Sequence, residues 1–378
     1  MNTFGRKLRV TIFGESHGEA VGVVLDGVPA GLELDRTDFE KDIARRKSGA
    51  KGTTSRTEKD VPQILSGVFE GHTTGAPIAI IFRNENRRPQ DYNRFAAMPR
   101  PGHADQTAAI RWDDCNDPRG GGHFSGRLTL PVVAAGVIAK KILADTTILD
   151  ETPVPVNGIS ARIVELGGIP ECHVERSETS VKEILRFAQN DTPEIQNDTA
   201  EMQNDNEQTR KNELSAEWRD AIENAVKEGD SLGAVIECVV PEIDPGYGEP
   251  FWDSVESQIA HAMFSIPGVR GIEFGDGFKA AAMKGSEHND PIGEDGRPTK
   301  NGAGGVNGGL TNGAPLRFRV AFKPTSSIAR PQQTFNFATG EMDVLEVKGR
   351  HDVCFALRCP VIVEAMAAIV LADLALLR

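Results

Sequence analysis

The 378-residue sequence is poor in the features that define several large classes of protein. Aromatic residues make up only 6% of it, and its five cysteines are scattered and include no CxxC pair. We therefore expect neither a disulfide framework nor a zinc site, and we expect the chain to bind no metal. The first residues, MNTFGRKLRV, contain no apolar run of the kind found in a signal peptide, which predicts a cytoplasmic protein.

Long hydrophobic runs are also rare. The one extended apolar stretch, Pro360 to Leu377, contains Glu364 and Asp373. Charges inside a stretch of this length favour a buried helix over a membrane span, so we predict no membrane partner. The net charge of −13 argues against general binding of nucleic acid or of anionic membrane surfaces, because both repel an acidic protein.

Common nucleotide-binding and metalloprotease motifs are missing as well. The sequence contains no GxxxxGK[ST] and no HExxH. A metal- or histidine-dependent phosphatase is disfavoured too, because carboxylate and histidine ligands do not cluster along the chain. What the sequence has instead is 39 glycines and several clusters in which glycine or proline stands beside residues that bind anions or move protons.

Charge is distributed unevenly along the chain. Residues 36–127 hold 16 Lys and Arg against 12 Asp and Glu, within a protein that is acidic overall. Such an excess is typical of a pocket for an anionic small molecule, but counting alone fits a solvated basic face equally well. An anion- or nucleic-acid-binding module that uses this region is the alternative from another functional class. The negative net charge of the whole chain counts against it.

The order of the predicted elements favours an α+β fold. Strand-like runs such as LRVTIFG and LRFRVAF alternate with helical patterns such as SAEWRDAIENAVKEG, without strict βαβ repetition. The spacing of Thr37 and Glu40 predicts a capping box at the start of a helix that ends in ARRKSGAKG. Ser125 is the predicted N-cap of a buried helix that follows it.

One segment differs in composition from the rest. In residues 171–213, QND recurs every seven residues, and acids outnumber bases by 11 to 5. The repeat lacks the apolar seam of a coiled coil, and the segment cannot bury enough apolar surface to offset the entropy lost on ordering. We predict an inserted, acidic, disordered surface loop within a single domain that spans residues 1–378.

Two histidines lie on loops defined by glycine or proline: His17 in FGESHG and His103 in RPGHAD. A lone histidine is more often structural or simply exposed, but its charge changes near neutral pH, which suits a general acid. A third titratable cluster, Arg350 to Asp352 in KGRHD, also follows a glycine, and a surface turn explains it as well.

Three further stretches are rich in glycine or in side-chain hydroxyl groups. Residues 120–126, GGGHFSG, present bare N–H groups before a helix and could bind an anion. KPTSS, at 323–327, suits a phosphate or forms a polar turn. NGAGGVNGGLTNG, at 301–313, is by composition more typical of a flexible linker than of a loop pressed against a flat ligand.

Seven motifs taken together carry a resemblance. FGESHG, DGVPAG, RPGHAD, RGGGHFSGR, GDGF, KPTSSI and KGRHD occur in this order and closely resemble those of the chorismate synthases. The resemblance runs to about residue 150 and resumes from about 215, so the QND segment is left out. It implies a β-α-β sandwich of antiparallel sheets enclosing helices, assembled as a homotetramer in the cytoplasm.

The resemblance also implies an activity. Chorismate synthases are lyases of the shikimate pathway that convert 5-enolpyruvylshikimate 3-phosphate into chorismate by anti-1,4-elimination of phosphate. They need reduced FMN, although the reaction has no net redox change. A side-chain base could not easily remove the unactivated C–H hydrogen, whereas a reduced flavin can lend an electron as phosphate leaves.

The resemblance assigns roles to particular residues. His17 matches the histidine that protonates the reduced flavin, and His103 matches the one that protonates the leaving phosphate. Asp352 matches the acid that relays a proton at flavin N5, and Ser16 and Ser125 match hydroxyls near the flavin. We expect these five to be catalytic. The matched substrate-binding residues are Arg45, Arg46 and Arg127, and the matched FMN contacts are His123, Phe124, Ser125, Gly308, Lys323, Pro324, Thr325, Ser326, Ser327 and Arg350.

The sequence departs from the family pattern after its first helix. Relatives commonly carry RRRPG followed by another arginine, whereas this chain has RRKSGAKG. Some relatives bind NADPH there, and Arg46 and Lys51 are the candidates for that contact. His123 and Phe124 stand where arginine and serine are frequent, so we expect backbone contacts to matter more than side chains at these two positions. With a flavin in place, the glycine-rich loop at 301–313 is a flavin wall rather than a linker.

Overall fold

The computed structural model describes residues 2–49, 51–56, 58–86, 94–145, 158–171, 214–241, 243–347, 349 and 351–378. The acidic loop predicted at 171–213 lies, apart from Glu171, outside the described residues, as does the FMN contact expected at Arg350.

Strands and helices follow one another in mixed order in the described part of the chain. The helices are α1 (Glu40–Arg46), α2 (Asp105–Trp112), α3 (Thr129–Ala144), α4 (Ala216–Glu228), α5 (Val255–Phe264), α6 (Gly285–His288) and α7 (Pro360–Leu377). The strands are β1 (Thr3–Phe4), β2 (Arg9–Gly14), β3 (Ala20–Asp26), β4 (Gln63–Ile64), β5 (Val68–Phe69), β6 (His72–Thr73), β7 (Ile78–Arg83), β8 (Ser160–Leu166), β9 (Ile169–Pro170), β10 (Ala234–Val240), β11 (Val269–Phe274), β12 (Val306–Asn307), β13 (Leu310–Thr311), β14 (Leu316–Phe322), β15 (Gln332–Asn336) and β16 (Glu341–Leu345).

Two antiparallel sheets form the outer layers. The first has the strand order β1-β2-β3-β7-β4 and the second the order β11-β14-β10-β8-β9. In β14 every second side chain is fully buried, which is the alternation expected of a strand with one face on the core. Strands β2 and β3 pair from Arg9 with Asp26 to Gly14 with Val21, so the FGESHG motif forms the loop of this hairpin.

Helices α3 and α7 pack against each other between the sheets. Helix α3 contacts β2, β3 and β7 of the first sheet, and α7 contacts β8 and β10 of the second. The two helices meet closely at Gly136, where an added Cβ would lie 2.3 Å from the Cβ of Ala365. The predicted α+β sandwich, with antiparallel sheets enclosing helices, is therefore confirmed.

Helix α7 is the buried helix predicted for the long apolar stretch. It is long and apolar enough to cross a membrane, with a mean hydropathy of 2.2, but 78% of it is buried inside the fold. Its two acids have partners there. Asp373 accepts hydrogen bonds from the backbone N–H groups of residues 6–8, and Glu364 accepts two from Arg45.

One local prediction is wrong: no capping box forms at Thr37. Its backbone N–H and its hydroxyl both donate to Asp35, and a short 3₁₀ turn precedes α1.

The glycine-rich stretch at 301–313 is packed into the fold, although its composition alone is more typical of a linker. It contains the β12–β13 pair. An added Cβ at Gly304 or Gly305 would meet the backbone of residues 315–317 within 3 Å.

Candidate active site

The FGESHG loop is held rigidly at the end of the β2–β3 hairpin. Gly14 has φ = +96°, and a Cβ there would lie 2.3 Å from the carbonyl oxygen of residue 20. Asn84, which follows β7, donates its side-chain amide to the carbonyl oxygens of Glu15 and Gly18 at 3.1 and 3.0 Å. Clamped in this way, the loop keeps Ser16 and His17 buried, with exposed fractions of 1% and 4%.

The GGG turn packs directly against this loop. Gly120, Gly121 and Gly122 all have positive φ, within a 3₁₀ turn that spans residues 119–124. The N–H of Ser16 donates to the carbonyl oxygen of Gly122 at 3.1 Å. Because the L-amino acids rarely adopt three such conformations in succession, only glycines allow this backbone to reach the loop.

Two histidines lie against consecutive glycines of the turn. A Cβ on Gly120 would fall 2.1 Å from Nδ1 of His17, and a Cβ on Gly121 would fall 3.2 Å from Nε2 of His103. The missing side chains therefore make room for both imidazoles. Ser125 lies beside them, since its Cβ is 3.9 Å from the same position on Gly121. His17 and His103, which are 86 positions apart in the sequence, thus meet at one short stretch of backbone.

The RPGHAD loop that carries His103 rests on the KPTSS segment. The carbonyl oxygen of Gly102 accepts hydrogen bonds from Nζ of Lys323 at 3.0 Å and from Oγ of Ser326 at 2.7 Å. Burial and the nearby Arg270 lower the pKa of Lys323. Two stretches that the sequence singled out separately are therefore parts of one site.

Buried guanidinium groups form a cluster next to the FGESHG loop. Arg127 pairs with Asp60 and donates from Nε to Asn84 at 3.0 Å. Arg46 also approaches Asp60, with its NH1 3.6 Å from a carboxylate oxygen. Burial, together with the positive charges of Arg358 and Arg127, lowers the pKa of Arg46 to about 9. The cluster therefore holds more positive charge than its own carboxylates neutralise.

These groups line a cleft with an empty volume of about 550 Å³. Among the described lining residues, Arg56 also donates to Oγ of Ser16 at 3.0 Å, so the cleft adjoins the loop of His17. Asp352 lies at its edge, accepting from the N–H of Thr54 at 2.8 Å and from Arg358 at 2.6 Å. The cleft is lined by five cations and two carboxylates: Arg46, Lys47, Arg56, Arg127 and Arg358 against Glu58 and Asp60. An anionic ligand would complement it.

Three expected site residues lie apart from this cluster. Arg45 makes two 2.7 Å hydrogen bonds to Glu364, which together with Asp42 raise its pKa despite burial. Lys51 pairs with Glu223 on α4. Gly308 follows β12 with φ = +62° and open space where a Cβ would project.

The cofactor residues expected at 123 and 124 direct their side chains elsewhere. Nδ1 of His123 contacts the carbonyl oxygen of Gly14 at 2.9 Å, and Nε2 contacts Asn2 at 3.2 Å. The ring of Phe124 lies 5.8 Å from that of Trp112. Both side chains therefore have partners within the protein, and the expected backbone contact at these positions stays a prediction.

Five residues of the site were missed in the sequence: Arg56, Glu58, Asp60, Asn84 and Arg358. Asp60 carries a signal only in the structure, a positive φ of 54°. Asn84 is a polar residue directly after a buried strand, which is a pattern typical of functional loops, and it could have been noticed. The three others are ordinary charged residues of a chain that is 26% charged, so composition cannot separate them from surface residues.

Comparisons with known proteins identify relatives of the chain. A family model described as chorismate synthase matches residues 8–376. The chain is 50% identical over 378 residues to a chorismate synthase of Chitinophaga pinensis, covering 100% of this chain and 97% of that one. A chorismate synthase of Korarchaeum cryptofilum is 44% identical, with 98% and 96% covered.

The fold is also similar to that of a solved structure. A solved structure described as a crystal structure of chorismate synthase superposes with a TM-score of 0.65 at 26% identity, covering 98% of this chain and 92% of that one. Sequence and fold lead to one conclusion: the chain belongs to the chorismate synthase family.

Proposed function

We propose that the chain binds 5-enolpyruvylshikimate 3-phosphate in the basic cleft and performs the reaction of its family there. Chorismate synthases are carbon–oxygen lyases (EC 4.2.3.5) of the shikimate pathway, which leads to the aromatic amino acids, and they eliminate phosphate from this substrate to give chorismate. One observation carries the proposal: His17 and His103 lie on consecutive glycines beside a cleft with excess positive charge.

Arg46 and Arg127 are our choices for binding the substrate, which carries one phosphate and two carboxylates. Guanidinium groups bind such oxygens through paired hydrogen bonds. NH2 of Arg127 and Nε of Arg358 are buried and have no hydrogen-bond partner among the described residues, so Arg358 joins this set. Leaving a buried donor unpaired costs about 1–3 kcal/mol, which a bound anion would recover. Arg45 supports them by tying α1 to α7 through Glu364.

The proton-handling groups are His17, His103, Asp352, Ser16 and Ser125. His103 delivers a proton to the departing phosphate. His17 and Asp352 hold protons on the cofactor side of the site, and the two serine hydroxyls orient them. The hydrogen bond from Arg56 fixes Oγ of Ser16 beside His17, which supports this arrangement. General acid catalysis of this kind contributes about 10²- to 10⁴-fold to a rate.

Chorismate synthases use a flavin, and we propose reduced FMN as its form here. The residues present fit such a group: Oγ1 of Thr325 is buried without a partner, and Gly308 faces open space. When bound, reduced FMN supplies the transient electron that an elimination without net redox change requires. The residues that would hold it are His123, Phe124, Ser125, Gly308, Lys323, Pro324, Thr325, Ser326 and Ser327, together with Arg350.

We assign no NADPH-dependent step to the chain. Of the two candidate contacts, Arg46 lines the cleft, but Lys51 is paired with Glu223. We further propose that the protein works in the cytoplasm as a homotetramer, without nucleic acid or membrane as a partner. Sedimentation velocity of the purified protein tests the assembly, and a single species of monomer mass would contradict it.

Anaerobic assay of phosphate release tests the activity. We expect phosphate and chorismate in equal amounts with reduced FMN, and neither product without flavin or with oxidised FMN. Turnover without flavin would contradict the proposal. His17→Ala should lower turnover by roughly ten- to a thousandfold. His72→Ala is the matched control, because His72 is exposed on β6 and its imidazole hydrogen-bonds only to the carbonyl oxygen of Glu70 among the described residues.

A further inference from the structure

The imidazole of His103 is fixed through one of its two nitrogens. Nδ1 lies 2.6 Å from Oδ1 of Asp105, and Nε2 faces the backbone of Gly121. The two nitrogens therefore have different surroundings: one meets a carboxylate of its own loop, and the other meets the glycine turn that adjoins His17.

Asp105 is itself held by Arg100, which belongs to the same RPGHAD motif. Arg100 donates to this carboxylate three times, from its backbone N–H at 3.0 Å, from Nε at 2.8 Å and from NH2 at 2.7 Å. The side chain of Asp105 is only 7% exposed, and that of Arg100 only 3%. Burial alone would raise the pKa of Asp105, but the hydrogen bonds from Arg100 and His103 lower it well below its ordinary value. The carboxylate is ionised.

Arg100 is anchored on its far side. Its NH1 donates to Oγ of Ser327 at 2.9 Å, and its guanidinium lies 4.5 Å from the centre of the Phe95 ring. The fork that holds Asp105 is thus fixed by a hydrogen bond and by a cation–π contact. This leaves Asp105 little freedom to move away from His103.

The partners of Nδ1 determine which nitrogen carries the stable proton. NH2 of Arg100 donates to Oδ1 of Asp105 and also lies 3.1 Å from Nδ1 of His103. A hydrogen bond from Arg100 to Nδ1 needs an unprotonated Nδ1, and that nitrogen would then face the carboxylate oxygen of Asp105 lone pair to lone pair over 2.6 Å. A proton on Nδ1 removes this repulsion, so the shorter contact favours it.

We propose that Asp105, held by Arg100, is a positioning residue that keeps Nδ1 of His103 protonated and makes Nε2 the nitrogen through which His103 delivers its proton. This inference rests on the proposed role of His103. In the step itself the Nε2–H bond breaks and an O–H bond forms on the departing phosphate. The imidazolium becomes neutral, Nδ1 keeps its proton, and Asp105 stays ionised.

The charges around His103 fit this role. Asp105 and Arg100 face it from its own loop, and Lys323 approaches that loop from the KPTSS segment through the carbonyl oxygen of Gly102. Among the described residues, Asp105 is the only carboxylate in contact with the His103 ring. A carboxylate at Nδ1 stabilises the imidazolium and fixes the ring orientation, as in other histidine–carboxylate pairs that act in acid–base catalysis.

A double-mutant cycle tests the inference. Asp105→Asn should lower turnover by roughly ten- to a thousandfold, approaching His103→Ala. In the His103→Ala background the same change should cost less than about threefold, because residues that act as a unit are not additive. Equal losses in both backgrounds would mean a purely structural role and would overturn the proposal.

Asp253→Asn is the control for loss of a paired carboxylate. Asp253 accepts a hydrogen bond from NH1 of Arg6 at 2.7 Å, and it lies outside the seven motifs. We expect turnover close to that of the unchanged protein. A loss as large as that of Asp105→Asn would show that removing any paired carboxylate suffices.

A second measurement does not depend on activity. Long-range ¹H–¹⁵N NMR of histidine-labelled protein without ligands distinguishes the two neutral tautomers. We expect a proton on Nδ1 of His103 and a shift towards the Nε2–H tautomer in Asp105→Asn. A proton on Nε2 alone in the unchanged protein would overturn the inference, with Arg100 then donating to Nδ1. Because the tautomer does not depend on flavin or substrate, this result is independent of the proposed function.

Discussion

Arg45 and Arg46 are neighbours in sequence but point to opposite sides of α1. Successive residues of a helix project about 100° apart, and here one side faces Glu364 on α7 while the other faces Arg127 and Arg358. Arg45 is satisfied by two hydrogen bonds to a carboxylate. Arg46 is buried beside two other guanidinium groups, and burial together with their positive charges lowers its pKa to about 9.

The first prediction follows from this difference. Arg46→Lys should raise KM for the substrate about ten- to a hundredfold, because lysine keeps the charge but loses the guanidinium fork, and a hydrogen bond to a charged group is worth about 1.5–3 kcal/mol. Arg45→Lys should leave KM within about threefold and lower Tm instead, since it weakens the buried pair with Glu364. Steady-state kinetics with saturating reduced FMN, beside thermal unfolding, separates the two effects.

The reverse result would be informative. If Arg45→Lys raised KM as much as Arg46→Lys, the expectation drawn from the family resemblance would hold and the cleft geometry would not account for binding. Inorganic phosphate provides a second check without catalysis. It should raise Tm of the unchanged protein by stabilising the folded state, and by less in Arg46→Lys.

At the scale of elements, the GGG turn is the point where separate parts of the chain meet. It contacts the β2–β3 loop on one side and the RPGHAD loop on the other, and it precedes α3. A side chain on Gly120 would occupy the position of the His17 ring. The glycines are therefore required by close approach as well as by their positive φ.

The second prediction tests close approach apart from backbone strain. Gly120→Ala should lower turnover about a hundredfold, since displacement of a catalytic group by about 1 Å can cost that much. Gly340→Ala is the matched control: Gly340 has φ = +75° but nothing within 4 Å of an added Cβ. Both changes carry a similar strain of about 1–2 kcal/mol. Equal effects on turnover would show that strain, and not the contact with His17, explains the result.

The sequence predicts the elements better than their meeting points. Alternating and apolar runs are local, so β2, β3, β14 and α7 could be located from the sequence. The contact of His17 with Gly120 joins distant positions, and no local pattern specifies it. The motifs themselves were recognised one by one, and only the family resemblance placed them in one site.

Competition between nearby hydrogen-bond partners explains most of the contacts that the sequence does not predict. Thr37 has the spacing of a capping box, but its backbone N–H and its hydroxyl both donate to the carboxylate of Asp35. Asp105 stands within a motif that was recognised, yet only its 2.6 Å distance to His103 distinguishes it from any other acid at the start of a helix. Such competition among nearby acceptors depends on geometry, which composition and spacing do not contain.

At the scale of the whole molecule, the sandwich brings the functional loops to one region while the acidic QND segment stays a prediction from composition. The chain on either side of that segment is fixed in the fold. Nε1 of Trp218 at the start of α4 donates to the carbonyl oxygen of Ile169 in β9 at 2.9 Å. The two ends are thus held near each other by the second sheet and α4, and a shorter connection between them can close.

The third prediction is that residues 188–208 can be removed without loss of function. The deletion halves the connection formed by residues 172–213, which for a flexible loop lowers the cost of closure by about 0.6 kcal/mol. Turnover should stay within about twofold of the unchanged protein, and Tm should be unchanged or slightly higher. Replacing the same residues with a glycine- and serine-rich stretch of equal length is the control for composition. If both variants lost activity, the QND repeats would be making contacts that the enzyme needs, and their description as an inserted loop would be wrong.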